Sequence, residues 1–137
     1  MVYEVFVDTS GFYSLLCNKD DEHRRATRIL KQAARRTSGF VTSDYVLDET
    51  ATLLKARGYT HLVPGFFDSV FDSHACRVEW MDPSRFQAVA TFFLQRPDHQ
   101  WSFTDCSSFV LMKELRLRRA LTKDSHFSEA GFVPLLT

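Results

Sequence analysis

The sequence predicts a three-layer α/β/α sandwich built on a central, mostly parallel sheet. Three observations carry that prediction. Short apolar runs alternate with segments of helical period along the 137 residues, the pattern of strands joined by crossover helices. The length suits one domain, residues 1–137, which can bury roughly two-thirds of its unfolded surface. Hydrophobic residues make up 45% of the chain and thirteen residues are Phe, enough for one ring-rich core.

Taken in order, residues 3–7 read as a buried strand and residues 10–17 as a short helix, apolar on one side. Asp20-Asp21-Glu22 opens a second helix with Ala26, Ile29, Leu30 and Ala33 on its apolar face. Arg35-Arg36 closes it, so acids lead and bases trail, as the helix dipole favours. Residues 39–42 form a strand. Ser43 or Asp44 caps the next helix, which runs to about Arg57, with Gly58 as its stop. Across residues 60–74, Leu62, Val63, Phe66, Phe67, Val70 and Phe71 recur at helical spacing, and Pro64 falls in the tolerant first turn. Residues 77–80 are a strand. Asp82-Pro83 starts a helix carrying Phe86, Val89, Ala90, Phe93 and Leu94, and residues 97–100 are a loop. Residues 104–117 are a helix with Phe109, Met112 and Leu115 inward. Residues 120–122 and 132–135 are closing strands, and Pro134 confines the last to a sheet edge.

Several classes fall away. No apolar stretch approaches the ~20 residues that span a bilayer, and the N-terminus lacks the pattern of a secretory signal. Cys17, Cys76 and Cys106 are odd in number and lack C-x-x-C spacing, against a disulfide framework or structural zinc. Reduced thiols among apolar neighbours point to a cytoplasmic protein in which they fill space. There is no G-x-S-x-G elbow and no phosphate-binding G-x-x-x-x-G-K-[ST] loop.

Four carboxylates stand where apolar runs end. Asp8 follows Val5-Phe6-Val7, Asp105 follows residues 101–104, Asp124 follows residues 120–123, and Glu49 lies in the first turns of a helix. In a parallel sheet the carboxyl ends of strands converge on one rim. Two charges about 4 Å apart repel by roughly 4 kcal/mol at an effective dielectric of ~20. A divalent cation relieves such repulsion, and hard oxygen ligands select Mg2+ or Mn2+. Each acid alone has a plainer reading: Asp8 as a helix cap, Asp105 as a first-turn dipole partner, Asp124 as a turn residue, Glu49 as an exposed helix acid.

Net charge is zero, yet Arg24, Arg25, Arg28, Lys31, Arg35 and Arg36 crowd one helix. A basic surface beside an acidic pocket suits a phosphodiester substrate, although a solvated helix face gives the same pattern. Arg24, Arg28, Lys123 and His126 are the candidates for substrate contact. For the Phe66, Phe67 and Phe71 stripe, and for Trp101, packing is the default over base stacking.

The segments Phe6-Val7-Asp8-Thr9-Ser10, Val46-Leu47-Asp48-Glu49-Thr50, Ser102-Phe103-Thr104-Asp105-Cys106 and Leu121-Thr122-Lys123-Asp124-Ser125-His126-Phe127 resemble the PIN-domain nucleases. Glu129-Ala130-Gly131-Phe132 adds to the likeness, which spans essentially the whole chain and is nearest to the VapC-like toxin subgroup. The resemblance implies a PIN-like five-stranded sheet, one or two Mg2+ or Mn2+ ions, and hydrolysis of RNA. It implies Asp8, Glu49, Asp105 and Asp124 as catalytic and metal-binding acids, supported by the hydroxyls of Thr9, Ser10 and Thr104. Adjacent helical residues point about 100° apart, so only one of Asp48 and Glu49 can face the site; the resemblance favours Glu49.

The chemistry then expected is attack by water, leaving 5′-phosphate and 3′-hydroxyl ends. Asp8 and Asp105 hold the principal ion, Asp124 completes or bridges the site, and Glu49 binds directly, binds through water, or orients the attacking water. A second ion about 3.5–4 Å away would clamp the leaving oxygen. The expected partners are RNA, an antitoxin protein laying a basic side chain into the acidic pocket, and a second copy in a homodimer formed through helices near the start and middle. The alternative is a non-catalytic RNA-binding module of the same fold. A phosphate-receiving signalling domain fits less well, because it wants a paired acid directly after the first strand and Asp8 is followed by Thr9 and Ser10.

Overall fold

A computed structural model describes residues 4–36 and 39–137. The first strand, β1, spans Glu4–Val7; its predicted start at Tyr3 lies outside the described residues. The other strands are β2 (Gly39–Ser43), β3 (Cys76–Glu79), β4 (Arg119–Leu121) and β5 (Val133–Pro134). They form one sheet in the order β3-β2-β1-β4-β5, and every ladder is parallel. The central strands are apolar on both faces, with Val5, Phe6, Val7, Val41, Ala120 and Leu121 all buried, as a sheet covered on both sides requires. Pro134 sits on the edge strand, where its missing donor costs no ladder bond.

Among the described residues seven α-helices connect the strands: α1 (Thr9–Leu16), α2 (His23–Arg35), α3 (Asp44–Ala56), α4 (Val63–Phe71), α5 (Pro83–Leu94), α6 (Phe103–Glu114) and α7 (Ser125–Glu129). Ser43 caps α3 by accepting from the Val46 amide, and Gly58 follows its end with φ +82°, the left-handed conformation that stops a helix. Asp82 caps α5 in the same way, accepting from the Arg85 amide. The core is rich in rings. Phe109 stands edge-on to Phe127 at 5.0 Å and to Trp101 at 5.1 Å. Trp101 is buried and stacked on His99 at 3.9 Å, so it packs rather than presenting a face to solvent.

Three expectations are corrected. Asp20, Asp21 and Glu22 precede α2 instead of forming its first turn, because Asp20 turns back to accept from Ser14 Oγ (2.7 Å), the Glu22 amide (3.1 Å) and Lys123 Nζ (2.7 Å). The helix expected over residues 60–74 is a 3-10 turn at Thr60–Leu62 followed by the shorter α4. Helix α6 stops at Glu114, since Arg116 adopts φ +59°. The short helix α7 after Asp124 was assigned no element from the sequence. The Phe stripe of α4 also splits: Phe66 is buried, whereas Phe71 is 55% exposed.

Candidate metal centre

The strand order places β1 between β2 and β4, so the chain reverses direction of travel across the sheet at β1 and β4. Ligands of open parallel sheets bind beyond the strand ends at that point. Asp8 directly follows β1, and Asp124 lies three residues beyond β4. An open depression of about 300 Å³ lies there, lined by Asp8, Thr9, Ser10, Tyr13, Glu49, Leu53, Arg57, Lys123 and Asp124.

Each acid is held by a different local device. Asp8 precedes α1, and its amide donates to the Leu121 carbonyl (3.2 Å), tying it to β4. Its carboxylate accepts from Thr122 Oγ1 at 3.0 Å. Asp8 is 6% exposed. Burial, joined by the charges of Glu49 and Asp105, pushes its carboxyl up to about 7, against the opposing pull of the Thr9 amide and Thr122. Glu49 accepts from Thr9 Oγ1 at 2.6 Å, across from α1 to α3. Its neighbour Asp48 is exposed, so Glu49 is the middle carboxylate that reaches the depression.

Asp105 belongs to a capping box at the start of α6. Its amide donates to Ser102 Oγ, and its Oδ2 accepts from the Ser102 amide, both at 3.0 Å. Asp124 caps α7, its Oδ1 accepting from the His126 amide at 2.9 Å. The His126 ring joins these two acids, with Nδ1 3.1 Å from Asp105 Oδ2 and 3.4 Å from Asp124 Oδ1. Partial burial of that ring works against its protonation, but the Asp105 hydrogen bond and the charges of Asp124, Asp105 and Glu129 raise its pKa overall. One donor atom from each of Asp105, Asp124 and His126 falls within 4.8 Å of the others, close enough to share an ion.

The supporting hydroxyls divide. Thr9 holds Glu49, as above. Ser10 Oγ accepts from the Lys123 amide (2.9 Å) and shares a 3.0 Å hydrogen bond with Thr122 Oγ1. Thr104 contributes its carbonyl to Ser107 Oγ; its hydroxyl enters none of the hydrogen bonds among the described residues. Two further residues escaped the sequence reading. Thr122 is the hub that contacts Asp8, Ser10 and the Asp124 amide (3.0 Å), and Arg57 brings a guanidinium to the wall, 4.8 Å above the Tyr13 ring.

The candidate substrate contacts are not gathered in one place. Lys123 lines the depression, but its ammonium is bound to Asp20 (2.7 Å) and Asp21 (2.8 Å), which makes it a clamp on the start of α2. Arg24 and Arg28 lie on the outer face of α2, in a separate surface hollow. His126 is beside the acids.

The donor set fits a hard divalent cation. Carboxylate oxygens dominate it, and Asp8 is buried within reach of two other negative charges, a placement that a bound cation would relieve.

Comparison with known proteins bears on the family and the fold. The family model described as PIN domain matches residues 5–133. A curated relative, 23S rRNA-specific endonuclease VapC20 from Mycobacterium tuberculosis strain CDC 1551 / Oshkosh, is 33% identical over 131 residues, covering 94% of this chain and 95% of its own. Its counterpart in strain ATCC 25618 / H37Rv matches equally. A crystal structure of Mycobacterium tuberculosis VapC20, described as a sarcin-ricin loop cleaving toxin, superposes with a TM-score of 0.83 at 29% identity, over 94% of this chain and 96% of that one.

Proposed function

We propose, from the premise that this chain belongs to the PIN-domain family, that it is a metal-dependent endoribonuclease and the toxin of a toxin–antitoxin pair. The observation that carries the proposal is the gathering of acids at the strand-end rim: buried Asp8 shares one depression with Glu49 and Asp124, and Asp124 shares a possible ion position with Asp105. A fold keeps such an arrangement at a cost, and functional sites are where that cost is found.

Asp8, Asp105 and Asp124 would hold the ion, either Mg2+ or Mn2+, with Glu49 joining them or orienting water. When bound, a divalent cation neutralises phosphate charge and makes water a better nucleophile at neutral pH. The protein's own contribution is positioning. Thr122 fixes the Asp8 carboxylate, Thr9 fixes Glu49, and the Ser102 amide fixes Asp105. Arg57 adds a positive charge to the wall of the same depression, where it would meet a phosphate. Attack by water leaves 5′-phosphate and 3′-hydroxyl ends. A purely RNA-binding role is the weaker reading, since unneutralised carboxylates repel a polyanion.

Ribosomal RNA is the substrate to test first, because the curated relatives are named for 23S rRNA and the solved structure for the sarcin-ricin loop. The reading includes an antitoxin that seats a basic side chain in the acidic depression, and a cytoplasmic location. No helix among the described residues is long and apolar enough to cross a membrane. It also includes a homodimer. Phe86 and Phe93 of α5 are 47% and 38% exposed and flank Phe103 at 5.3 and 5.5 Å. This apolar face is suited to a second copy.

The decisive experiment incubates ribosomal RNA with the protein and Mn2+ or Mg2+, with chelator, and with Asp8→Asn. Cleavage is expected only for the wild type with metal. Equal cleavage in all conditions, or products with 2′,3′-cyclic ends, overturns the proposal.

A further inference from the structure

The outer face of α2 holds a row of charge that the acidic centre does not use. With about 100° per residue, Arg24, Arg28, Lys31 and Arg35 fall within a sector of about 60° on one side of the helix. Ala26, Ile29 and Ala33 lie on the opposite side; Ala26 and Ala33 are buried, and Ile29 packs against the core. The four cations therefore form a straight row about 16 Å long at 1.5 Å per residue, and all four are exposed. They line a shallow hollow of about 360 Å³ together with Thr27 and Gln32.

What sets them apart is their alignment on one helix face, since other cations among the described residues, Arg25, Lys55 and Arg118 among them, also make no ion pair. Elsewhere Arg77 holds Glu4 and Glu79, Arg85 holds Glu79 and Glu114, and Lys123 holds Asp20 and Asp21. None of the four cations of the row has a carboxylate partner among the described residues. In a chain of zero net charge, mutual repulsion along one rigid helix is left uncompensated. The row is linked to the acidic centre through the segment that precedes α2. Arg24 is four residues from Asp20, whose carboxylate grips Lys123 on the wall of the depression.

We infer that this face of α2 is a phosphate track that engages the backbone of a folded RNA flanking the scissile bond. The inference rests on the ribonuclease reading and deepens it, assigning selection of structured over short substrates to a surface apart from the acids. Four aligned cations over about 16 Å present a line of positive charge that consecutive backbone phosphates of one strand can follow. Duplex RNA is recognised largely through such backbone contacts, so the track reads shape and not sequence.

The test measures binding of a labelled RNA hairpin in chelator by fluorescence anisotropy across a KCl series, for wild type and for the triple variant Arg28→Gln/Lys31→Gln/Arg35→Gln. Loss of three phosphate contacts to the hairpin stem is expected to flatten the plot of log affinity against log salt by about 2.7, at ~0.9 per contact, with at least a tenfold loss of affinity at low salt. The charge-preserving Arg28→Lys/Arg35→Lys variant is expected to keep the wild-type slope. With metal, the triple variant is expected to show a raised KM for the hairpin, an unchanged kcat, and unchanged cleavage of a short unstructured oligonucleotide. An unchanged salt slope and affinity, with the melting temperature preserved, overturns the track and identifies the row as a solvated face. Because binding is read without metal, a wild type that binds through the row but cuts no RNA overturns the ribonuclease reading and leaves the track standing.

Discussion

Replacing Asp8 by Asn should destroy activity and stabilise the metal-free protein. The carboxyl of Asp8 is 6% exposed and its pKa stands at about 7, against an ordinary value of 3.8. The folded state therefore binds a proton that the unfolded chain has already released between those two values. Stability contributed by the protonated group is complete below about pH 4 and is lost as pH rises toward 7. At ~1.4 kcal/mol per pH unit, the full loss is about 4 kcal/mol. Asparagine cannot ionise, and its amide oxygen can still accept from Thr122 Oγ1, which donates to Asp8 at 3.0 Å. Urea unfolding in chelator should show the variant more stable than wild type at pH 8, by up to about 4 kcal/mol, with the gap closing toward pH 4. Parallel stability–pH curves for the two proteins would refute the reasoning, because they would mean that Asp8 is ionised in the fold without cost. A variant that is inactive, folded and more stable than wild type is the signature of strain retained for function.

Two further substitutions probe the supports. Ser102→Ala removes the acceptor of the Asp105 amide; it should cost about 1 kcal/mol of stability and weaken Mn2+ binding about tenfold by loosening Asp105, and calorimetric titration showing wild-type affinity would contradict this. Lys123→Ala should cost about 1 kcal/mol while leaving KM for RNA unchanged, since the ammonium already serves Asp20 and Asp21. Asp20 is held below its ordinary carboxyl value despite its burial, by Lys123, Ser14 and the Glu22 amide. The Lys123 contribution should therefore be present at neutral pH and disappear as pH falls through the Asp20 titration.

The sheet was legible because its strands are continuous apolar runs that end at named acids. Phe6, Val41 and Leu121 are fully buried in adjacent parallel strands, and such runs have few other uses in a chain of this size. The failures share one cause. The start of α2 depends on a contact between Asp20 and Lys123, 103 positions apart, which no local pattern displays. Helix α7 has five residues, too few to show a period. Thr122 looked like an ordinary strand residue, and only the pairing of β1 with β4 brings it to Asp8 and Ser10. The same pattern of failure holds for function. The four candidate acids stand out in the sequence by position, whereas the groups that hold them become visible only once the chain has closed.

Those holding groups also predict how the centre takes up its ion. Without metal, each negative charge already has a local partner: a proton for Asp8 near neutrality, Thr9 for Glu49, the Ser102 amide for Asp105, and the His126 amide and ring for Asp124. A cation must displace the proton of Asp8 and compete with protonated His126, whose pKa the neighbouring acids raise in spite of its partial burial. Binding should then release protons, and apparent affinity should climb with pH through the range in which these two groups titrate. The measurement is Mn2+ titration by calorimetry at pH 6, 7 and 8 in two buffers of different ionisation enthalpy, which separates proton release from binding. Affinity should rise by at least tenfold between pH 6 and 8, which is about what displacing one proton from a group titrating at about 7 supplies across that window, and the rise should shrink in His126→Gln, which keeps the Asp8 proton but loses the imidazolium. A flat profile with no proton release would mean that the carboxylates stand ionised and unopposed before the cation arrives, so that neither the burial of Asp8 nor the imidazolium of His126 governs uptake of the ion.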